Sequence, residues 1–379
     1  ALNSGLIGPN EVYVDRGTYT LSREAVSDRA ACESGLVRCE FKNAICSFSG
    51  LPCVYGPVAV EDALAVSSDT FFYRIGDQIM VQNDFQPILQ ENIRKFGFGA
   101  DTGIELPFEF DGTVPDAALK RRYAELNVIS EDEGRDYYVG DNVQLAIGQG
   151  LLSATPLHVA TGYGAVANGG FVIQPTIIQA IWEPGTPDGE PGFADPERGR
   201  IFSDESDAEL IRQIAMPPSI RTPLVRGLRR VVTGPGTANG RSTTGEELFR
   251  DYPSDAIQVA GKTGTAQGFG NYPWNDSSVF AAFSVDTSTA DFLPNSDDPY
   301  VVAAYLEKAG YGSQAAAPVV KCTFLALSDA SRLDPVEPSE PLDLDATVAA
   351  PPQRLDDTSC YRGEFGINYV TGARQGLVE

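Results

Sequence analysis

Lys262-Thr263-Gly264-Thr265-Ala266-Gln267, read together with the earlier triplet Ser67-Ser68-Asp69, decides the fold. The lysine run follows Ala256-Ile257-Gln258-Val259-Ala260, whose alternation predicts a strand. Two more apolar runs of strand length come after it, Ser278 to Val285 and Tyr300 to Leu306, separated by polar, turn-rich segments. Three strands in succession predict an antiparallel meander. Side chains of a strand alternate between its faces. Lys262 therefore offers a fixed positive charge, and the hydroxyls of Thr263 and Thr265 can bind a carboxylate. Gly264 lets a ligand's backbone or ring approach closely. Taken alone, Lys-Thr-Gly recurs by chance and reads equally well as an ordinary strand end. Ser67-Ser68-Asp69 alone reads as a helix N-cap, where Ser and Asp are favoured.

Outward from these two stretches, Ala63, Leu64, Val66, Phe71, Ile75 and Ile79 recur at helical spacing and predict one helix from Asp62 to Met80, interrupted near one end by the triplet. Ile88 to Phe96 predicts a second helix, closed by Gly97 and Gly99. Residues 113–138 are polar and read as a surface loop. Leu157 to Asn168 predicts a helix, with Pro156 at its start and Gly169-Gly170 at its end. Residues 183–204 read as a solvated insertion. Glu209 to Met216, Thr222 to Val232 and Gln314 to Leu327 read as helices. Three regions follow: a loop-rich segment 1–57, a core 58–330, and an acidic, proline-rich tail 331–379 expected to be disordered.

Composition excludes several functions. The formal charge of −24 over 379 residues argues against nucleic acid and anionic lipid, both of which attract basic surfaces. No apolar run is long enough to span a bilayer. Cys32, Cys39, Cys46 and Cys53 fall seven apart, with Cys322 and Cys360 near the end. An even count fits disulfides in an oxidising, extracytoplasmic compartment; four cysteines allow three pairings, and Cys360 could tether the tail to Cys322. The spacing lacks the close C-x₂₋₄-C pairs of zinc sites, so no metal is expected. His158, the one histidine, is expected to be structural, because nothing near it forms a nucleophile–base pair.

Considered jointly, the motifs are far more specific. Ser67-Ser68-Asp69-Thr70-Phe71-Phe72-Tyr73, Phe96-Gly97-Phe98-Gly99 and Thr102-Gly103-Ile104-Glu105-Leu106-Pro107 occur in that order. Gly140-Asp141-Asn142, Ala146-Ile147-Gly148-Gln149-Gly150, Ala167-Asn168-Gly169-Gly170 and Lys262 to Gln267 follow. Their order and spacing over residues 58–330 resemble the class B penicillin-binding proteins of the elongation type. The resemblance implies an α+β fold with an antiparallel five-stranded sheet flanked by helices. It implies peptidoglycan cross-linking by D-Ala-D-Ala transpeptidation through a serine acyl-enzyme. Ser67 would relay a proton, Asp69 would hydrogen-bond the substrate amide and a catalytic lysine, and Lys262 would complete the catalytic set. Ser68, Thr263, Gly264 and Thr265 would bind substrate, with the Thr265 N–H forming half of an oxyanion hole. No cofactor is implied. Implied partners are peptidoglycan stem peptides, lipid-linked precursor, β-lactams and an elongation-machinery glycosyltransferase. The implied place is the extracytoplasmic side of the bacterial inner membrane, anchored by an N-terminal helix.

One departure stands out. The family's nucleophile lies in Ser-x-x-Lys, and this motif is absent. Three residues before Lys42, Lys95, Lys120, Lys262, Lys308 and Lys321 stand Cys39, Asn92, Ala117, Val259, Tyr305 and Pro318. Ala1-Leu2-Asn3-Ser4-Gly5-Leu6-Ile7 resembles the rear half of the helix that carries the motif, so the chain reads as an N-terminally truncated fragment, inactive as it stands. The strands that the family places before the motif would be missing as well, leaving the last strand with a bare edge. A catalytically silent wall-peptide- or partner-binding relative is the alternative, as is a β-lactam sensor or β-lactamase of the same superfamily.

Overall fold

The computed structural model describes residues 1–26, 29–35, 38–44, 53–178, 180–182, 201–204, 209–236, 242–268, 275–289, 292, 295, 297–329, 334–335 and 360–362. Cys46, most of the 183–204 insertion and nearly all of the 331–379 tail lie outside the described residues.

Around the lysine run the expected meander is present. Strands Val259–Ala266, Ser277–Ser284 and Val301–Leu306 pair antiparallel, with the middle one between the other two. The register sets Lys262 opposite Ala281 and Gly264 opposite Val279. Lys262-Thr263-Gly264 therefore lies within the strand rather than after it. The described residues contribute these three strands to the sheet, so Val301–Leu306 forms one edge and the lysine strand the other.

Alternation gives the sheet two buried faces. Val259, Phe280 and Ala282 pack against Val320 and Phe324 of helix Ala316–Ser328, with Phe249 beside them. Ala260 and Phe283 face the other way, onto Val225 and Leu228 of helix Pro218–Thr233 and Ala167 of helix Pro156–Ala167. Lys262, two residues after Ala260, is directed to this second face.

The predicted Asp62–Met80 helix is two helices. Val60–Val66 ends at Ser67, whose φ of 58° is left-handed. Ser68 is extended and caps Asp69–Val81, its hydroxyl accepting from the Phe71 N–H at 3.3 Å. Residues 113–138 are not simply a loop. Asp116 caps helix Ala117–Glu125, and a short turn Glu131–Gly134 follows. These pieces are too polar and short to show a helical stripe. Lys120 is buried there and held by Asp141 at 2.6 Å. Glu209–Met216 is not a helix either. Leu210–Gln213 is a strand antiparallel to Phe171–Ile173, a distant partner that local periodicity cannot register. Within the expected insertion, Ile201–Asp204 pairs with Ala180–Trp182.

The helix Asp69–Val81 crosses helix Val139–Leu145 at Gly76, where Asn142 Nδ2 donates to the Gly76 carbonyl at 2.7 Å. A Cβ at Gly76 would stand 2.9 Å from Asn142 O and Val143 Cα. Gly→Ala in a helix normally gains up to about 1 kcal/mol. Here the obstacle is backbone, and overpacking of this kind costs about 1–3 kcal/mol. Gly76→Ala is expected to lower the thermal midpoint, measured by circular dichroism.

Among the described residues two disulfides are formed, Cys32–Cys39 and the expected Cys322–Cys360. The N-terminal segment is more ordered than its composition implies. Thr18–Thr20 pairs with Glu40–Lys42, and Tyr13–Asp15 with Gly56–Val58.

Candidate active site

Chain reversal between the two short helices puts Ser67 at a left-handed position that non-glycine residues adopt only where the surroundings enforce it. The Ser67 N–H still reaches Leu64 O at 3.3 Å. Its hydroxyl is half-buried and has no hydrogen-bond partner among the described residues, so it remains available to a ligand.

Asp69 opens the following helix. Its Oδ2 accepts from the Ala44 N–H at 2.6 Å. Burial pushes its carboxyl up to about 6; the Ala44 bond and the Lys262 charge oppose that rise, and the Asp15 charge adds to it. Burial in turn pulls the Lys262 ammonium down to about 8 against the attraction of Asp69. The triplet and the lysine strand, far apart in sequence, therefore share one electrostatic site.

The Lys262 ammonium donates to Thr263 O at 3.0 Å, with Thr263 Oγ1 at 3.4 Å. Thr263 Oγ1 donates to Thr244 Oγ1 at 2.9 Å, and the Thr244 N–H donates to Ala65 O at 3.2 Å. Thr244 thus ties the strand to the helix that ends at Ser67. Sequence reading missed it, because no motif surrounds it. Gly264 presents no side chain on the face of Lys262, and a Cβ there would lie 3.4 Å from Val279.

Two assignments meet a different geometry. Ser68, expected to bind substrate, is fully buried, and its hydroxyl donates to Asp15 Oδ2. It caps a helix and faces the interior. The Thr265 hydroxyl, expected to hold a carboxylate, accepts from the Gly312 N–H at 3.4 Å. The Thr265 carbonyl accepts from Gln149 Nε2 at 2.8 Å, a bond that crosses from the helical half to the sheet. Gln149 sits between Gly148 and Gly150, both at positive φ, so the turn demands glycines on either side of the reaching side chain.

His158 is structural, as expected. Its Nδ1 accepts from the Thr155 N–H at 3.1 Å, which leaves the proton on Nε2 to donate to Ala100 O at 2.8 Å. Among the described residues, no group of His, Cys, Asp and Glu is arranged to hold a metal.

The Lys262 ammonium, the Asp69 carboxylate and the uncommitted Ser67 hydroxyl bring the lysine strand and the serine triplet together as one candidate site. Residues 47–324 match the penicillin binding protein transpeptidase domain, and the chain belongs to that family. It is 29% identical to the peptidoglycan D,D-transpeptidase MrdA of Haemophilus influenzae over 277 residues, which cover 70% of this chain and 36% of that protein. Penicillin-binding protein 2A of Bacillus subtilis is 25% identical over 258 residues, covering 65% and 30%. The chain thus spans about a third of the length of the curated relatives it matches. Among solved structures, Pseudomonas aeruginosa PBP2 in complex with WCK 5153 superposes with a TM-score of 0.56 at 25% identity, over 88% of this chain and 58% of that one.

Proposed function

We propose that the chain supplies the Ser67–Asp69–Lys262 half of an elongation-type D,D-transpeptidase site that cross-links peptidoglycan. The observation that carries the proposal is the electrostatic interaction of Lys262 with Asp69, which joins the lysine strand and the serine triplet in one site. A stem peptide ending in D-Ala-D-Ala lies along that edge, its terminal carboxylate drawn to the Lys262 ammonium with the Thr263 hydroxyl beside it. Gly264 leaves room for its backbone. The Ser67 hydroxyl passes a proton to the leaving amine, and Asp69 binds the substrate amide. Attack on the penultimate D-Ala carbonyl requires a serine from a Ser-x-x-Lys element, which these 379 residues do not contain. The serine adds to the carbonyl, D-Ala leaves with the relayed proton, and an amine of a neighbouring stem peptide then takes the acyl group. A β-lactam forms the same ester but has no separate leaving group to depart.

The expected partners are lipid-linked wall precursor and a glycosyltransferase of the elongation machinery. Solved structures sharing this fold include a peptidoglycan synthase complex that coordinates polymerization and crosslinking, and a PBP2–MreC complex from Helicobacter pylori. The proposed place is the extracytoplasmic face of the inner membrane. No helix among the described residues is long and apolar enough to cross a membrane. The proposed organisation is a transpeptidase core over 58–330, with 1–57 as its cysteine-bearing segment and 331–379 as an appended tail.

Intact mass after incubation with a β-lactam tests this reading. The chain as it stands is expected to show no adduct. The same chain joined to a segment that bears a Ser-x-x-Lys motif is expected to gain one. An adduct on the unextended chain would overturn the nucleophile assignment.

A further inference from the structure

Behind the serine triplet lies a second buried carboxylate, Asp15. Asp15 is fully buried and receives three different donors. The Gly17 N–H donates to its Oδ1 at 2.7 Å, Asn43 Nδ2 reaches Oδ1 at 3.1 Å and Oδ2 at 3.0 Å, and the Ser68 hydroxyl donates to Oδ2. Asn43, only 1% exposed, returns to the same helix start, where its Oδ1 accepts from the Thr70 N–H at 3.0 Å. The next residue, Ala44, donates its N–H to Asp69 Oδ2. One residue earlier, Lys42 O accepts from the Tyr73 hydroxyl at 3.3 Å. Residues 42–44 thus run along the first turn of the Asp69 helix, contacting Tyr73, Thr70 and Asp69 in succession. Strand pairing of Thr18–Thr20 with Glu40–Lys42 and the Cys32–Cys39 disulfide hold this strap closed.

A buried ion normally needs an opposite charge. Asp15 instead has neutral donors and the positive end of a 13-residue helix, which favours an anion at its start. Capping by Ser68 alone would need no carboxylate behind it. The carboxylate, Asn43 and the strap make sense together as a mount for whatever the first turn presents, and that turn presents Asp69.

We propose that Asp15 and Asn43 are positioning residues for Asp69: through Ser68, Thr70 and the Ala44 N–H they fix where the Asp69 carboxylate sits and how readily it takes a proton. The proposal rests on Asp69 being a working group of the transpeptidase site. Three titratable groups face Asp69: Asp15 from its strand, Tyr73 one turn along the same helix, and Lys262 from the sheet. Asp15 is the like charge among the carboxylates, and Lys262 the opposing one.

The two positioning residues act on Asp69 in opposite directions. Asp15→Asn removes a negative charge, so Asp69 ionises more easily and its midpoint falls. Asn43→Ala frees Ala44, so Asp69 loses its donor and its midpoint rises. A merely structural role would move both in one direction, or neither.

The test is an NMR titration of the ¹³C,¹⁵N-labelled chain from about pH 4 to about pH 8. The Ala44 amide follows Asp69 through their hydrogen bond, and the Asp69 carboxyl carbon is followed directly. In the parent, both signals are expected to share one inflection near 6. The Asp69 carbon midpoint is expected to fall by about one pH unit in Asp15→Asn and to rise by about as much in Asn43→Ala. In Asn43→Ala the Ala44 inflection is expected to vanish. Amide spectra of both variants that match the parent's away from residues 42–70 guard against misfolding. Unmoved midpoints in folded Asp15→Asn and Asn43→Ala would overturn the proposal, as would shifts of one sign in both. No nucleophile or β-lactam enters this readout, so it can fail while the acylation test succeeds, and the reverse.

Discussion

Lys262→Ala is expected to slow β-lactam acylation of a form of the protein joined to a Ser-x-x-Lys-bearing segment by about a hundredfold or more, the scale set by removing one preorganised charge from a catalytic site. The ammonium sits beside Thr263, where burial pulls it down to about 8. The pH profile makes the prediction specific. Asp69 carries its charge above about 6, and Lys262 carries its charge below about 8. Both are charged only between those values, so acylation should peak there and fall on either side. On the alkaline side the loss follows deprotonation of Lys262. Lys262→Ala should therefore erase that limb and, with its charge gone from beside Asp69, move the acid limb upward. Lys262→Arg, whose guanidinium stays protonated, should shift the alkaline limb upward even if the peak rate is lower. Ser67→Ala should also acylate slowly, but with the alkaline limb unmoved. Stopped-flow acylation with a chromogenic β-lactam measures all of these. An unchanged rate and alkaline limb in Lys262→Ala would dismiss the site assignment.

Phe280→Ala is expected to destabilise the fold by about 3–5 kcal/mol, the usual range for deleting a fully buried aromatic ring. Phe280 lies on the middle strand of the sheet with no exposed surface, and its ring stacks on Phe249 at 6.0 Å between centroids. Val320 and Phe324 close the same cluster from the terminal helix. Its neighbours belong to a paired strand and a packed helix, so little can collapse into the void. The loss is a large part of the roughly 5–15 kcal/mol that typically separates folded from unfolded chains. Phe108→Ala is the matched control. Phe108 is entirely exposed, and its removal should shift stability by no more than about 0.5 kcal/mol. Urea unfolding followed by far-ultraviolet circular dichroism distinguishes the two.

How legible this molecule is from its sequence depends on how local each cause is. The meander is readable because Ser277–Ser284 and its neighbours are apolar runs between polar turns. Ser67, Asp69 and Lys262 are readable because motifs mark them, and the structure brings Asp69 and Lys262 into one electrostatic site. The break at Ser67 escapes periodicity, since apolar spacing continues through a residue that leaves the helix only in its backbone. Leu210–Gln213 is misread because its partner strand, Phe171–Ile173, lies far back in the chain. The burial of Ser68 is not legible because its partner, Asp15, stands 53 positions earlier in a segment with no recognisable motif. Thr244 is missed for the same reason. Each omission is a side chain whose role is set by what lies across from it in space.

The Gln149 amide reaches across to the Thr265 carbonyl at the very edge where a ligand strand would add. An incoming peptide meets a carbonyl that already accepts one hydrogen bond. One lone pair is already committed, and the newcomer must either share the oxygen or displace the amide. In displacement one hydrogen bond is traded for another, with little net gain from their number alone. Discrimination at this point then lies in shape: a ligand of the right span makes the exchange while keeping its grip elsewhere, and a shorter or bent one leaves the amide where it is. The same bond that braces the two halves of the molecule thereby acts as a competitor built into the protein, a threshold that weak or ill-fitting guests do not cross.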